Sequence, residues 1–217
     1  MKKNVILILF FISIKIFSQN FNEKKRYIVG TFHTQNTTIN GISFGAFPEF
    51  NNKKRFVRTN GIRLEIPGLG IGAIIVNGIV DTNEETDEII NGLNISSGTI
   101  GNVSYNGLTF GLFIQSGTEI NGVAIAGIYN AMERLNGIQI GGFLNKSSYN
   151  NGIQIAIVNN ISEYMKGIQI GIQNNVSQNM IGIQIGIFNK SNNTKGIQLG
   201  LWNINEKRKL PIINWNF

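Results

Sequence analysis

The chain has 217 residues, 14% of them charged, a formal net charge of +7, one His and no Cys. Without Cys there is neither a disulfide nor a lipid-carrying thiol, and a single His provides no paired imidazoles for a metal and no Cys–His couple. Lys2, Lys3 and Lys15 fall in the first eighteen residues; without them the charge is 7 − 3 = +4, too ordinary to indicate nucleic acid.

Residues 1–18 read as a secretory signal peptide. Lys2 and Lys3 precede an apolar core from Val5 to Ile12, and Ser18 supplies a small residue before the cut. Removal leaves 217 − 18 = 199 residues of an exported protein. Beyond this point no run of about eighteen apolar residues occurs; Ile71 to Val80 comes nearest and is broken by Gly72, Asn77 and Gly78.

Residues 19–217 read as a single all-β domain. In 20–105 the strand candidates are Tyr27–Phe32 and Gly41–Phe47, separated by long loops. His33 is expected in a strand. Lys53-Lys54-Arg55 with Arg58, and the acidic run Asp81 to Glu88, are expected to be solvated loop charges. The acidic run lacks the spaced ligands and central Gly of a calcium loop. Gly68-Leu69-Gly70-Ile71-Gly72 lacks the Lys and the helix of a phosphate loop.

From residue 106 onward one unit recurs, written most clearly as Gly-Ile-Gln-Ile-Gly-Ile-x-Asn. It starts at Gly137, Gly152, Gly167, Gly182 and Gly196, in steps of 15, 15, 15 and 14 residues. Looser copies start at Gly92, Gly107 and Gly122, and degenerate ones at Gly41, Gly61 and Gly78. The defining residues are Ile138, Gln139 and Ile140; Ile153, Gln154 and Ile155; Ile168, Gln169 and Ile170; Ile183, Gln184 and Ile185; and Ile197, Gln198 and Leu199. Alternation of Ile with Gly or Gln is a period of two, which a strand places on two faces and a helix smears around its circumference. Polar stretches such as Lys190 to Lys195 read as turns, so each repeat is one strand and one turn.

Two all-β arrangements suit this code. The first, which we take as the primary expectation, is an antiparallel meander closed into a barrel of about 12–14 strands. A turn near Ser177-Gln178 would set Ile172 against Ile183 and Ile168 against Ile187, with each Gln beside a Gly, giving an apolar outside and a small, polar lumen. The alternative is a parallel β-solenoid with one repeat per coil, Ile stacked on Ile inside, and Asn159, Asn174 and Asn189 in a corner ladder. It offers no evident reason for the Gly at both ends of each Ile run. The C-terminus favours the barrel: Ile213, Trp215 and Phe217 alternate onto one face and the last residue is aromatic, similar to the terminal strand signal of outer-membrane barrels.

With Gly-Ile-Gln-Leu-Gly-Leu-Trp-Asn at 196–203 and Leu-Pro-Ile-Ile-Asn-Trp-Asn-Phe at 210–217, the tandem units resemble a family of bacterial surface-repeat proteins. The resemblance is strong over 106–217 and weak over 20–105. It implies export to the outer membrane or cell surface of a double-membrane bacterium, and it carries over no catalytic residue. The expected protein is therefore non-enzymatic, structural or pore-like, without cofactor, metal or nucleic acid. Its partners would be outer-membrane lipid and the barrel-assembly machinery; the alternative is a surface-exposed solenoid for binding or adhesion. Gln154, Gln169, Gln184 and Gln198 are expected to serve sheet structure and not a ligand.

Overall fold

A strand of β-branched Ile alternating with Gly or Gln prefers extended backbone, and a near-identical copy fifteen residues later is the neighbour it matches best. The computed structural model, which describes residues 23–47, 55–68, 70 and 86–217, is built on that match. The strands are β1 (Lys24–Thr31), β2 (Thr37–Gly45), β3 (Val57–Glu65), β4 (Glu88–Ser96), β5 (Val103–Gly111) and β6 (Ile114–Ala126). They continue as β7 (Tyr129–Gly141), β8 (Leu144–Ala156), β9 (Asn159–Gly171), β10 (Asn174–Ile185), β11 (Phe188–Ile204) and β12 (Lys209–Asn216). All lie in one sheet in sequence order. Strands β1 to β11 pair parallel and only β11 with β12 is antiparallel, so the fold is a parallel β-solenoid closed by a C-terminal hairpin.

This overturns the barrel expectation and its register. Ile168 pairs with Ile183, Gln169 with Gln184 and Gly167 with Gly182, each residue beside its own equivalent. The 14-residue step is absorbed at a corner: Asn160 and Asn175 are fifteen apart, Asn175 and Asn189 fourteen, while Ile185 still pairs fifteen back with Ile170. One residue is missing between Ile185 and Phe188.

The glycines that told against a solenoid are what let it form. Gly137 and Gly182 both have φ +142°, in the left-handed region, and a Cβ on either would stand 2.0 Å from the carbonyl oxygen of the Gly one coil earlier. This stacked column, from Gly41 to Gly196, bends the strands from β2 to β11 into two legs. The legs face each other across the interior: Gln154 Nε2 donates to Ser147 Oγ at 3.0 Å within one coil.

The faces are also assigned differently from the solenoid expectation. Gln139, Gln154, Gln169, Gln184 and Gln198 are fully buried, while Ile155, Ile170, Ile185 and Leu199 lie outside, 36–39% exposed. Ile138, Ile153, Ile168, Ile183, Ile197 and Ile140 are half-buried on that outer face. Gln turns inward because a stack of identical amides at the strand spacing satisfies itself, whereas Ile needs no partner outside. The remainder of the core is a column through Ile120, Leu135, Met165 and Met180, with Tyr105, Ile90 and Ile39 continuing it toward the N-terminus.

The leader at 1–18, the Ile71–Val80 stretch, Lys53, Lys54 and the acidic positions 81–85 lie outside the described residues. His33 follows β1 in a bend and not in a strand, its ring 4.8 Å from that of Phe32.

Candidate functional site

Inside the regular coils two amide ladders run from coil to coil, one from Gln139 to Gln198 and one from Asn145 to Asn203. Gln154, Gln169, Gln184 and Gln198 each donate through Nε2 to the Oε1 of the Gln one coil earlier, at 2.8–2.9 Å. Asn145, Asn160, Asn175 and Asn189 donate through Nδ2 to the Oδ1 of the Asn one coil later, at 2.8–2.9 Å. The ladders therefore run in opposite senses, and their side-chain dipoles oppose each other. Each of these Asn also reaches a backbone carbonyl ten residues on, such as Ile170 O from Asn160 at 2.8 Å, and so satisfies the corner. The expected corner ladder of Asn159, Asn174 and Asn189 is thus corrected: Asn160, Asn175 and Asn189 are in register, because the shortened corner shifts the count by one. The Gln column ends at Gln198, whose Oε1 is buried without a partner, since antiparallel β12 sets Asn214 beside it and that amide donates to the Asn203 and Arg208 carbonyls instead. The space between the legs is filled by these side chains, which removes the basis for the pore-like reading.

A third ladder escaped the sequence reading. Asn40, Asn60, Asn91, Asn106, Asn121 and Asn136 stand just before the Gly column and link coil to coil at 2.7–2.9 Å. The signal was there in the repeated Asn-Gly pair, which is read in isolation as a hairpin turn.

In the N-terminal coils the inward Gln position is held by Arg63, fully buried. Its guanidinium meets Glu88 at 2.7 and 3.1 Å, Glu65 at 2.8 Å and Asn94 at 3.1 Å, and stacks 4.1 Å over the Phe32 ring. Arg55 joins from the side, 3.3 Å from both Asp87 and Glu88. Burial alone would lower the Arg63 pKa, but Glu88 and Glu65 outweigh it and hold the guanidinium more firmly charged than usual. The adjacent Tyr105 hydroxyl is driven well above its ordinary value by burial, and it donates to Ser116 O at 3.2 Å. Arg55, Asp87 and Glu88 are accordingly not solvated loop charges: the ends of the basic and acidic runs meet inside the fold. Chemically this cluster is a closed ion-pair network. Among the described residues no three His, Asp or Glu side chains are grouped to hold a metal ion.

The two outer faces differ. The leg after the Gly column carries outward columns through Ile153, Ile168 and Ile183, and through Ile155, Ile170 and Ile185. A shallow groove of about 560 Å³ crosses it, lined by Ile170, Ile172, Ile185, Ile187, Leu201 and Ile212 among others. The strand signal joins this face, since Trp215 pairs with Ile197 and Ile213 with Leu199, and directly paired residues share a side. Arg208 stacks 4.5 Å over the Trp215 ring. The opposite leg displays Lys146, Glu163 and a stacked pair, Tyr149 and Tyr164, with ring centres 5.1 Å apart.

No family model matches this chain, and comparisons with curated proteins and with solved structures gave no match. The class defined by its coordinates is an all-β solenoid with coils of about fifteen residues, a fold consistent with a structural or adhesion module.

Proposed function

We propose that the protein is a non-enzymatic surface module of the bacterial envelope, a rigid β-solenoid that binds through one flat apolar face. The supporting observation is the sidedness of the leg after the Gly column: it turns polar side chains inward and an unbroken series of apolar ones, mostly Ile and Leu, outward. A soluble chain rarely exposes a contiguous apolar area of this size without something to cover it. Export and envelope location rest on the leader-like residues 1–18 and on the surface-repeat resemblance, and membership of that repeat family is part of the same proposal.

The test is fractionation of cells expressing the chain or a variant with Ile155→Lys, Ile170→Lys and Ile185→Lys. These side chains are exposed, so the variant should keep the β-sheet circular dichroism of the parent. The parent should sediment with the envelope and the variant should be released. An envelope-bound variant, or a parent found in the cytoplasm, would sink the reading.

A further inference from the structure

We infer that the apolar face is covered by a second copy of this chain, docked face to face about a two-fold axis that crosses the solenoid between β7 and β8. The inference rests on the proposed docking role of that face and names its occupant. Three independent features of the face carry it.

The first is relief. The outermost apolar position of each coil is bare at Gly127 and Gly142, just after β6 and β7, and is filled by Leu112 after β5, by Ile157 and Ile172 after β8 and β9, and by Leu201 in β11, where exposure is 54%, 57%, 63% and 69%. A two-fold axis between β7 and β8 sets β7 opposite β8 and β6 opposite β9, so the two protruding Ile of each copy enter the two notches of the other. The same operation sets Phe110 and Leu112 of one copy against Ile185 and Ile187, which line the groove, on the other.

The second is charge. The rim beside the Gly column is Asn91, Asn106, Asn121, Asn136 and Asn151 in the earlier coils, and Lys166, Ile181 and Lys195 in the later ones. Under this symmetry Lys166 faces Asn121 of the second copy and Lys195 faces Asn91, whose amide oxygens can accept. Lys is never set against Lys. A docking arrangement with anionic lipid would instead favour basic residues along the whole rim.

The third is area. Eight coils from β4 to β11 at a spacing of about 4.8 Å, and about five extended residues across, give roughly 600 Å² per copy and roughly 1,200 Å² in total. That reaches the lower bound of specific interfaces, and a flat face of in-register ribs is self-complementary in an isologous pair.

Sedimentation equilibrium of the detergent-free chain at micromolar concentration should give twice the monomer mass. The chain has no Cys, so a spin label at Ile170→Cys reports the face alone, and one at Glu163→Cys reports the opposite leg. The Ile170 label should lose mobility with increasing concentration and the Glu163 label should not. The triple Lys variant should sediment as a monomer with unchanged circular dichroism. A monomeric parent overturns the inference whatever the variants do. If that monomer floats with phosphatidylglycerol vesicles, the face docks on lipid and the binding-face reading survives. If it neither pairs nor floats, and the triple variant fractionates like the parent, both fail.

Discussion

The coils around β2 to β5 and those around β7 to β11 have the same backbone plan but different interiors, and each filling suits its neighbours. In the later coils the inward column is Gln upon Gln, each amide donating to one neighbour and accepting from the next, which requires identical residues at one strand spacing. In the earlier coils the same column reads Ser43, Arg63, Asn94 and Thr109, and no ladder can form. The inward charge of Arg63 is instead neutralised by Glu65 at the end of β3 and Glu88 at the start of β4. A ladder tolerates no change of partner, whereas a cluster tolerates irregular spacing, and in sequence the longest steps between strands, from β2 to β3 and from β3 to β4, fall in the half that holds the cluster. What both halves share is the Gly column.

Removing the charge at the centre of the cluster should have the largest effect. Arg63→Met would leave Glu65 buried without a cation and Glu88 with Arg55 alone, at a cost of about 3–5 kcal/mol. Because a solenoid is stabilised mainly between adjacent coils, hydrogen exchange should accelerate in β2 to β5 and much less in β8 to β11. Uniform loss of protection would show that the halves are not separable.

Next is the shared device. Gly61→Ala and Gly182→Ala each place a Cβ at 2.2 or 2.0 Å from a Gly carbonyl oxygen at φ +138° or +142°. Each should cost about 2–4 kcal/mol in denaturant melts, from strain and overpacking together. A large disparity between the two would mean that the column matters in one half only.

Breaking the ladder should cost less. Gln169→Leu removes the donor to Gln154 Oε1 and Ser162 Oγ and one of the acceptors of Gln184, which keeps Ser177 Oγ and Lys190 O, for a loss of about 1–3 kcal/mol. The equivalent test at the ladder's end, Gln198→Leu, should cost less because Gln198 Oε1 has no partner to lose.

The smallest effect is a gain. Asn150 interrupts the apolar column between Leu135 and Met165, 2% exposed, with neither amide atom hydrogen-bonded. Asn150→Leu should stabilise the chain by about 1–2 kcal/mol, raising the thermal midpoint. A fall in the midpoint would reveal a hydrogen-bonding role for that amide.

Much of this was legible from the residues. The alternation in Ile183-Gln184-Ile185 establishes a strand with two unlike faces, and the fifteen-residue return establishes one strand per repeat. Even the apolar outside and polar inside were present, although attached to the barrel and not to the solenoid. The Arg63 cluster was not legible, since Arg55 and Glu88 stand 33 positions apart and look like separate solvated runs. The C-terminal alternation at Ile213, Trp215 and Phe217 is real, but it extends an outer face on an antiparallel capping strand and closes no barrel.

By itself the sequence determined strands, period and repetition, because these follow from local stereochemistry and from identity between neighbours. Only the tertiary structure decided the direction of pairing and which face turns inward. A period-two code is unchanged when a strand is reversed or its faces exchanged. The choice belongs to contacts between coils: the Gly column that admits parallel stacking without a Cβ, and the amide ladders that close only when each Gln and Asn meets its own kind.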